Sequence, residues 1–154
     1  ARLGGQPIEV AFAGSGELEP ELRQIAANTS VRADFMGFVN QSRLPAVYTA
    51  ADLLVLPSDA RETWGLVVNE AMACGLPAVV SDGVGCGPDL VEPGGTGATF
   101  PLGDVAALAT AIRSVLSLDA DHVRRRLAAK VALYSPARTT AAIVEAAATL
   151  GRRR

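Results

Sequence analysis

Short, mostly apolar runs alternate with helix-like segments over the first hundred residues of the chain. The runs cover residues 8–14, 31–38, 52–58, 76–81 and 97–100. The segments between them with apolar side chains at helical spacing cover residues 17–27, 41–51 and 65–74. Because strands that alternate with helices pair in parallel, the pattern predicts an α/β fold with a Rossmann-like, doubly wound parallel sheet.

The last third of the chain is predicted to be helical. Asp104 is a candidate N-cap, and residues 122–134 place Val123 and Leu127 on one helix face. Pro136 begins a last predicted helix that reaches about Leu150. Apolar residues make up 49% of the chain and charged residues 19%, which is the composition of a globular domain.

Charge is unevenly distributed, although the net charge is only −2. Residues 113–154 carry nine basic and three acidic side chains, whereas residues 1–112 carry five basic and thirteen acidic ones. Aromatic residues are only 5% of the chain, so we expect no nucleic-acid partner. The basic helices are interpreted as solvated faces or, alternatively, as a peripheral contact with an acidic protein or an anionic membrane.

Several catalytic and metal-binding classes lack the residues they need. The only lysine, Lys130, lies in the C-terminal helices, so the chain has no phosphate-binding loop of the Walker type. The only histidine, His122, adjoins arginines on a predicted surface helix and is interpreted as a bystander. Cys74 and Cys86 lack metal-ligand spacing, so we expect free thiols, a cytoplasmic location and no metal site.

Sheets of this kind bind ligands in the loops that follow the strands. The loop after the first strand holds Gly14, Ser15 and Gly16, but a dinucleotide-binding fingerprint needs a small residue where Glu19 stands. A tight turn between strand and helix also explains these glycines. A dinucleotide-binding oxidoreductase that uses Asp34 is therefore one alternative function.

The segment over residues 57–77, PSDARETWGLVVNEAMACGLP, is the most informative. A strand ends at its first proline, and a helix opens near Gly65. Free backbone N–H groups at residues 65–67 would form a diphosphate site, with no Cβ at Gly65 to block the approach. Glu62 precedes the helix and Glu70 lies about a turn and a half inside it, so both can accept hydrogen bonds from one extended ligand. The alternative is that Glu62 caps the helix and Glu70 is solvated.

Glu62 and Glu70, with seven residues between them, resemble the E-x7-E motif of the GT-B families typified by glycosyltransferase family 4. The surrounding segments are similar to that family in the same order: AFAGSGEL, GFV, AADLLVLPS, ETWGL, NEAMACGLPAVVSD, GGTG and GDVAALATAI. The resemblance runs from about Ile8 to Leu116, and the ordered set is highly specific. It implies the C-terminal, donor-binding half of a GT-B enzyme.

The resemblance also implies a role for each matched residue. Glu62 would act as the catalytic residue that holds hydroxyls of the donor sugar, and Glu70 would hold the ribose hydroxyls. The backbone amides of Gly65 and Leu66 would lie beside the diphosphate, and main-chain groups of Val39 would read the nucleobase edge. The remaining residues implied at the donor site are Gly37, Phe38, Ser58 and Gly16.

The implied reaction is transfer of a sugar from a nucleotide-sugar donor to an acceptor hydroxyl, with the anomeric configuration retained. The nucleotide-diphosphate sugar would be the co-substrate, and no cofactor or metal is expected. Stabilisation of the leaving diphosphate would be electrostatic, through the helix N-terminus. Alternatives are a non-catalytic nucleotide-sugar-binding module and a sugar-nucleotide epimerase of related fold.

One family element is missing from the sequence. Family members begin this domain with a strand and a G-R-L-x(n)-K-G loop, whose Arg and Lys neutralise the diphosphate. Residues 2–5 (RLGG) are interpreted as the end of the helix that follows this loop. We therefore expect residues 1–154 to be a single nucleotide-sugar-binding domain without its first βα unit. Its partner would be the N-terminal domain of the same enzyme, without which we expect no activity.

Overall fold

The strands and helices follow one another along the chain much as the apolar pattern predicts. The computed structural model describes residues 2–3, 6–29 and 31–151. These fall into two units, Ala1–Val47 and Tyr48–Arg154. Strand pairing is parallel in both units, except for one short antiparallel ladder near the N-terminus.

The first unit contains four strands and one complete helix among the described residues. Their bounds are β1 (Arg2–Leu3), β2 (Gln6–Pro7), β3 (Glu9–Ala13), α1 (Glu19–Thr29) and β4 (Arg32–Gly37). Helix α2 (Leu44–Ala50) begins in this unit. The predicted helix end over residues 2–5 is wrong for the first two of them, because β1 pairs antiparallel with β2. Residues 4 and 5 lie outside the described residues.

Two aromatic rings hold β3 and β4 together. Phe12 and Phe35 are directly paired in the parallel ladder, and their rings stack with centroids 4.7 Å apart. The Arg23 guanidinium of α1 lies 4.2 Å above the Phe35 ring, so a cation–π contact attaches the helix to the strand pair. Gly14 follows the end of β3 and Gly37 ends β4, and the Gly14 amide donates to the Gly37 carbonyl at 2.8 Å.

The second unit is a three-stranded parallel sheet covered by helices. Its sheet order is β5-β6-β7. After the end of α2, the elements are β5 (Leu54–Leu56), α3 (Leu66–Ala73), β6 (Ala78–Ser81), α4 (Gly87–Leu90), β7 (Gly97–Phe100), α5 (Val105–Leu116), α6 (Ala120–Leu133) and α7 (Pro136–Gly151). The predicted α/β class, parallel pairing and helical C-terminus are confirmed.

The central strand β6 is buried on both faces. On one face, Ala78 and Val80 pack with side chains of α3, α4 and α6. On the other, Val79 packs with Phe100 and with α5. Each buried valine stabilises the fold by about 1.5–3 kcal/mol. These residues therefore form core and carry no chemistry, as the sequence pattern predicts.

Polar caps set the starts of the C-terminal helices. The Asp104 carboxylate accepts from the Ala107 amide at 2.8 Å, so the predicted N-cap is confirmed. Asp119 accepts from the His122 amide at 2.7 Å, and α6 therefore begins before the predicted residue 122. Within the described range, no helix is long and apolar enough to cross a membrane.

Candidate functional site

Two loops leave the same edge of the sheet in the second unit. Since β5 and β6 are parallel neighbours, the loops that follow them start side by side. The Ser81 hydroxyl, at the end of β6, donates to the Ser58 carbonyl. Further along, the Gly85 amide donates to the Glu62 carbonyl at 3.3 Å. The backbone that carries Glu62 is thus bound to the neighbouring loop at both ends.

Glycines allow the two loops to approach closely. A Cβ atom at Gly85 would lie 2.0 Å from the Thr63 carbonyl oxygen, and one at Gly83 would lie 3.0 Å from the Ala60 amide nitrogen. Real Cβ atoms do not approach backbone atoms this closely, so any side chain at Gly85 would push the loops apart. The sequence directed attention to the loop after β6, but it gave no role to these glycines.

Gly65, the N-cap of α3, has a left-handed backbone with φ 97°. A Cβ atom there would lie 3.0 Å from Val84 Cγ1 and 3.2 Å from Leu56 Cδ2. The structure gives a reason for glycine at this position that the sequence analysis did not, and the predicted approach of a ligand stays a prediction. The backbone angle and the buried neighbours both require glycine.

Within the part of the chain that the structure describes, no side chain caps the start of α3. The Val68 amide donates to the Gly65 carbonyl at 2.9 Å. The amides of Leu66 and Val67 precede it, where a helix offers no carbonyl one turn back. The alternative in which Glu62 caps this helix is therefore wrong. Leu66 is 68% exposed, so its surroundings are open to solvent.

Glu62 is half-buried, and its position is set by its backbone. Its amide donates to the Asp59 carbonyl at 3.0 Å. Its neighbour Arg61 forms an ion pair with the Asp59 carboxylate at 2.8 Å and is 91% exposed. Burial raises the pKa of the Cys86 thiol to about 11, and the nearby Glu62 carboxylate adds to this rise. Among the described residues, neither oxygen of the Glu62 carboxylate has a hydrogen-bond partner.

Glu70 has a different environment. Its Oε2 atom accepts a hydrogen bond from the Tyr48 hydroxyl at 2.9 Å. Tyr48 is only 7% exposed, whereas Glu70 is half-buried. The alternative in which Glu70 is merely solvated is therefore wrong. Sequence reasoning missed Tyr48 as a partner, because 22 residues separate it from Glu70 and no local motif joins them.

The remaining predicted donor residues lie mainly in the first unit, at the carboxyl ends of β3 and β4. The Gly16 carbonyl accepts from the Glu19 amide at 3.1 Å, which closes the turn into α1. Gly37 has φ 63° and ends β4. Phe38 is 84% exposed and Val39 is half-buried. Ser58, by contrast, belongs to the second unit, where its carbonyl accepts from Ser81.

An apolar cavity of about 560 Å³ opens near the start of α3. Trp64 and Leu66 line it together with Tyr134 from the end of α6. The Trp64 indole N–H donates to Asn69 Oδ1 at 2.7 Å, which fixes the ring. Neither glutamate lines this cavity, so we assign it no part in holding the polar ligand.

Acidic partners neutralise part of the basic C-terminal region. Arg124 pairs with Asp121 at 2.9 Å, and Lys130 pairs with Glu92 at 2.5 Å. Arg126 also pairs with Glu92. These contacts favour the interpretation as solvated helix faces, while peripheral membrane contact stays a prediction. No group of three or more potential metal ligands occurs within the described residues.

The family model for "Glycosyl transferases group 1" matches residues 2–132. The chain belongs to the group 1 glycosyl transferases. Two curated relatives illustrate the similarity of this glycosyl transferase chain. A sulfoquinovosyl transferase of Arabidopsis thaliana is 36% identical over 126 residues, covering 80% of this chain and 23% of the relative. A D-inositol 3-phosphate glycosyltransferase of Mycolicibacterium smegmatis is 35% identical over 149 residues, covering 94% and 34%.

Solved structures support the same assignment. HepE of Anabaena, solved in complex with UDP and glucose, matches with TM-score 0.68 and 26% identity. The match covers 96% of the glycosyl transferase chain and 41% of HepE. Sucrose-phosphate synthase of Thermosynechococcus elongatus matches with TM-score 0.63 and 26% identity, covering 96% and 38%. The GT-B assignment of the fold is confirmed, and the chain spans about a quarter to a third of the two curated relatives.

Proposed function

We propose that this group 1 glycosyl transferase chain binds the nucleotide-sugar donor of a retaining glycosyltransferase. The observation that carries the proposal is the arrangement around α3. An uncapped helix N-terminus follows a carboxylate with no partner in the described structure, Glu62, and a second carboxylate, Glu70, follows inside the helix. Such a ligand has a diphosphate between two groups rich in hydroxyls, which suits this order. The UDP and glucose bound in HepE support the proposal by analogy.

The diphosphate would lie against the start of α3. The amides of Gly65 and Leu66 supply donors there, and the positive end of the helix dipole adds about 0.3–1 kcal/mol for a nearby anion at an exposed site. During sugar transfer the leaving diphosphate gains negative charge. A preorganised set of amides would stabilise that charge without rearranging, which lowers the barrier to bond cleavage.

Glu62 would hold hydroxyls of the donor sugar near the reacting carbon. Its carboxylate can accept two hydrogen bonds, and its backbone is fixed by the neighbouring loop. This constraint would orient the sugar relative to the diphosphate, which is how positioning contributes to rate. We assign Glu62 as the catalytic residue in this sense, since it would contact the substrate, and not as the nucleophile.

Contacts to the nucleoside are proposed for each unit by itself. Glu70 would accept hydrogen bonds from the ribose hydroxyls, and main-chain groups of Val39 would contact the base. Gly37, Phe38, Gly16 and Ser58 are proposed as further lining. The acceptor is proposed to bind in the N-terminal domain of the enzyme. That domain would bring acceptor and donor together and exclude water.

Ligand-detected NMR tests the proposal. The chain would be screened against UDP-, GDP- and ADP-sugars, with a Glu62→Gln/Glu70→Gln double variant as control. We expect saturation transfer to the sugar and ribose protons of at least one donor, and its loss in the double variant. Equal signals from wild type and double variant would contradict the proposed site. In an active enzyme that contains this chain, NMR of the product tests retention through the anomeric configuration.

A further inference from the structure

The hydrogen bond between Tyr48 and Glu70 links two residues of the second unit. Tyr48 lies near the end of α2, and Glu70 lies on α3. The hydroxyl donates to Oε2 at 2.9 Å from a ring that is 7% exposed. A buried phenol needs a partner for its O–H group, and the Glu70 carboxylate supplies it.

This contact uses only one oxygen of the carboxylate. Among the described residues, Glu70 Oε1 has no hydrogen-bond partner. A glutamate side chain has three rotatable bonds, and fixing it at the moment of binding costs roughly 0.5–1.5 kcal/mol. A carboxylate already held through one oxygen presents the other in a defined direction. The cost of ordering is then met on folding and not on binding.

We propose that Tyr48 is a positioning residue for Glu70, and that it makes the site selective for ribose over deoxyribose nucleotides. The inference rests on the proposed function, in which Glu70 accepts hydrogen bonds from the ribose hydroxyls. Tyr48 itself does not contact the ligand. It holds Oε2 so that Oε1 meets the ribose hydroxyls, and a nucleotide without these hydroxyls gains nothing from the arrangement.

The electrostatics around Tyr48 are consistent with a permanent donor. Burial raises the pKa of its hydroxyl well above the usual 10, and the Glu70 carboxylate and Cys74 raise it further. The hydroxyl therefore stays protonated at neutral pH and can donate to the Glu70 carboxylate.

The test compares three single variants by calorimetric titration. Tyr48→Phe removes the hydroxyl and keeps the ring, and Glu70→Gln removes the charge that would accept from ribose. Tyr134→Phe is the matched control, because its hydroxyl also donates to a carboxylate, that of Asp89, at 3.0 Å. Each protein is titrated with UDP and GDP and with their 2′,3′-dideoxy counterparts. The measured quantity is the ratio of the ribose to the dideoxy affinity for the base that binds more tightly.

We expect the ratio to fall roughly five- to tenfold in Tyr48→Phe, in line with the loss of one hydrogen bond, and to stay unchanged in Tyr134→Phe. A ratio measured on one preparation does not depend on the fraction of folded protein, so a loss of stability cannot imitate this result. If Glu70→Gln lowers the ratio but Tyr48→Phe does not, the inference is overturned and the proposed function stands. If the wild type shows no preference for ribose, or if Glu70→Gln retains that preference, both the inference and the proposed function are overturned.

Discussion

The loop that carries Glu62 and the helix that carries Glu70 fix a carboxylate in different ways. The loop is held by its backbone, through hydrogen bonds from Gly85 and to Asp59, and its carboxylate has no described partner. The helix leaves Glu70 on a regular backbone, and a buried side chain, Tyr48, holds one of its oxygens. A ligand would thus contact Glu62, whose backbone is held by hydrogen bonds, and Glu70, whose carboxylate is held by the Tyr48 side chain.

This difference predicts which substitutions should disturb each carboxylate. The Glu62 loop depends on the absence of side chains at the glycines that face it, so small additions there should be severe. The Glu70 environment depends on one phenol, so a change there should be local. The loop should matter for fold and turnover together, and the helix mainly for affinity.

The largest expected effect comes from Gly85→Ala. The new Cβ would lie 2.0 Å from the Thr63 carbonyl oxygen, so the two loops must separate. We expect a loss of about 3 kcal/mol in the free energy of unfolding, measured by urea denaturation. Gly87→Ala is the matched control, because the Cβ added there would have Val80 Cγ2 as its nearest atom, at an ordinary van der Waals distance of 3.6 Å. Equal unfolding midpoints for the two variants would show that the loops are not closely packed.

Glu62→Gln should separate turnover from binding. In an active enzyme that contains this chain, we expect kcat to fall on the order of 100-fold, as when one group that stabilises a transition state is removed. The affinity for the free nucleoside diphosphate should stay within about twofold, since the lost contact is to the sugar. Steady-state kinetics and calorimetry measure the two quantities. A parallel loss of nucleotide affinity would show that the two glutamates are wrongly distinguished.

Glu70→Ala should give the complementary result. We expect nucleoside diphosphate and nucleotide sugar to lose the same affinity, about 1.5–3 kcal/mol, because both contain the ribose. Isothermal titration with the two ligands measures this. If only the nucleotide sugar were weakened, Glu70 would contact the sugar, and the proposed direction of the donor along α3 would be reversed.

The smallest effect concerns a third glutamate, which has a structural role. Hydrogen bonds from Lys130 and Arg126 hold the pKa of Glu92 below its ordinary 4.5. A carboxyl with a lowered pKa in the folded state contributes stability above pH 4.5, and this contribution is lost as the pH falls through the lowered pKa. Because these ion pairs are partly exposed, we expect Glu92→Gln to lower the free energy of unfolding by only about 0.5–1 kcal/mol at pH 7.

Thermal unfolding as a function of pH checks this prediction. The difference in unfolding temperature between wild type and Glu92→Gln should be constant between pH 6 and 8 and should become smaller below about pH 4.5. A gap that widened on acidification would contradict the sign of the pKa shift.

The sequence predicted the order of elements well, because apolar periodicity and glycine positions are local signals. The strand over residues 97–100 and the N-cap at Asp104 agree with the structure. Helix α4 was not predicted, because four residues are too few to show a period. The extent of the domain, residues 1–154, stays a prediction.

The candidate site was only partly predictable. The E-x7-E spacing led to the prediction of Glu62 and Glu70, since both lie within one strand–loop–helix segment, and their roles stay predictions. Tyr48 and Gly85 lie 22 and 23 residues from the groups they contact, and no local pattern records such pairings. The packing reason for Gly65 could not be predicted either, because it depends on Val84 and Leu56, which are distant in the sequence.

The central claim is that a diphosphate binds at the start of α3, and the fluorescence of Trp64 tests it most directly. Trp64 is the only tryptophan of the chain, immediately precedes Gly65, and is fixed by Asn69. We expect a saturable change in the Trp64 emission on titration with UDP or GDP. The corresponding nucleoside, which has no phosphate, should produce no such change. An unchanged emission at concentrations where calorimetry detects binding, or an equal change with the nucleoside, would contradict the account.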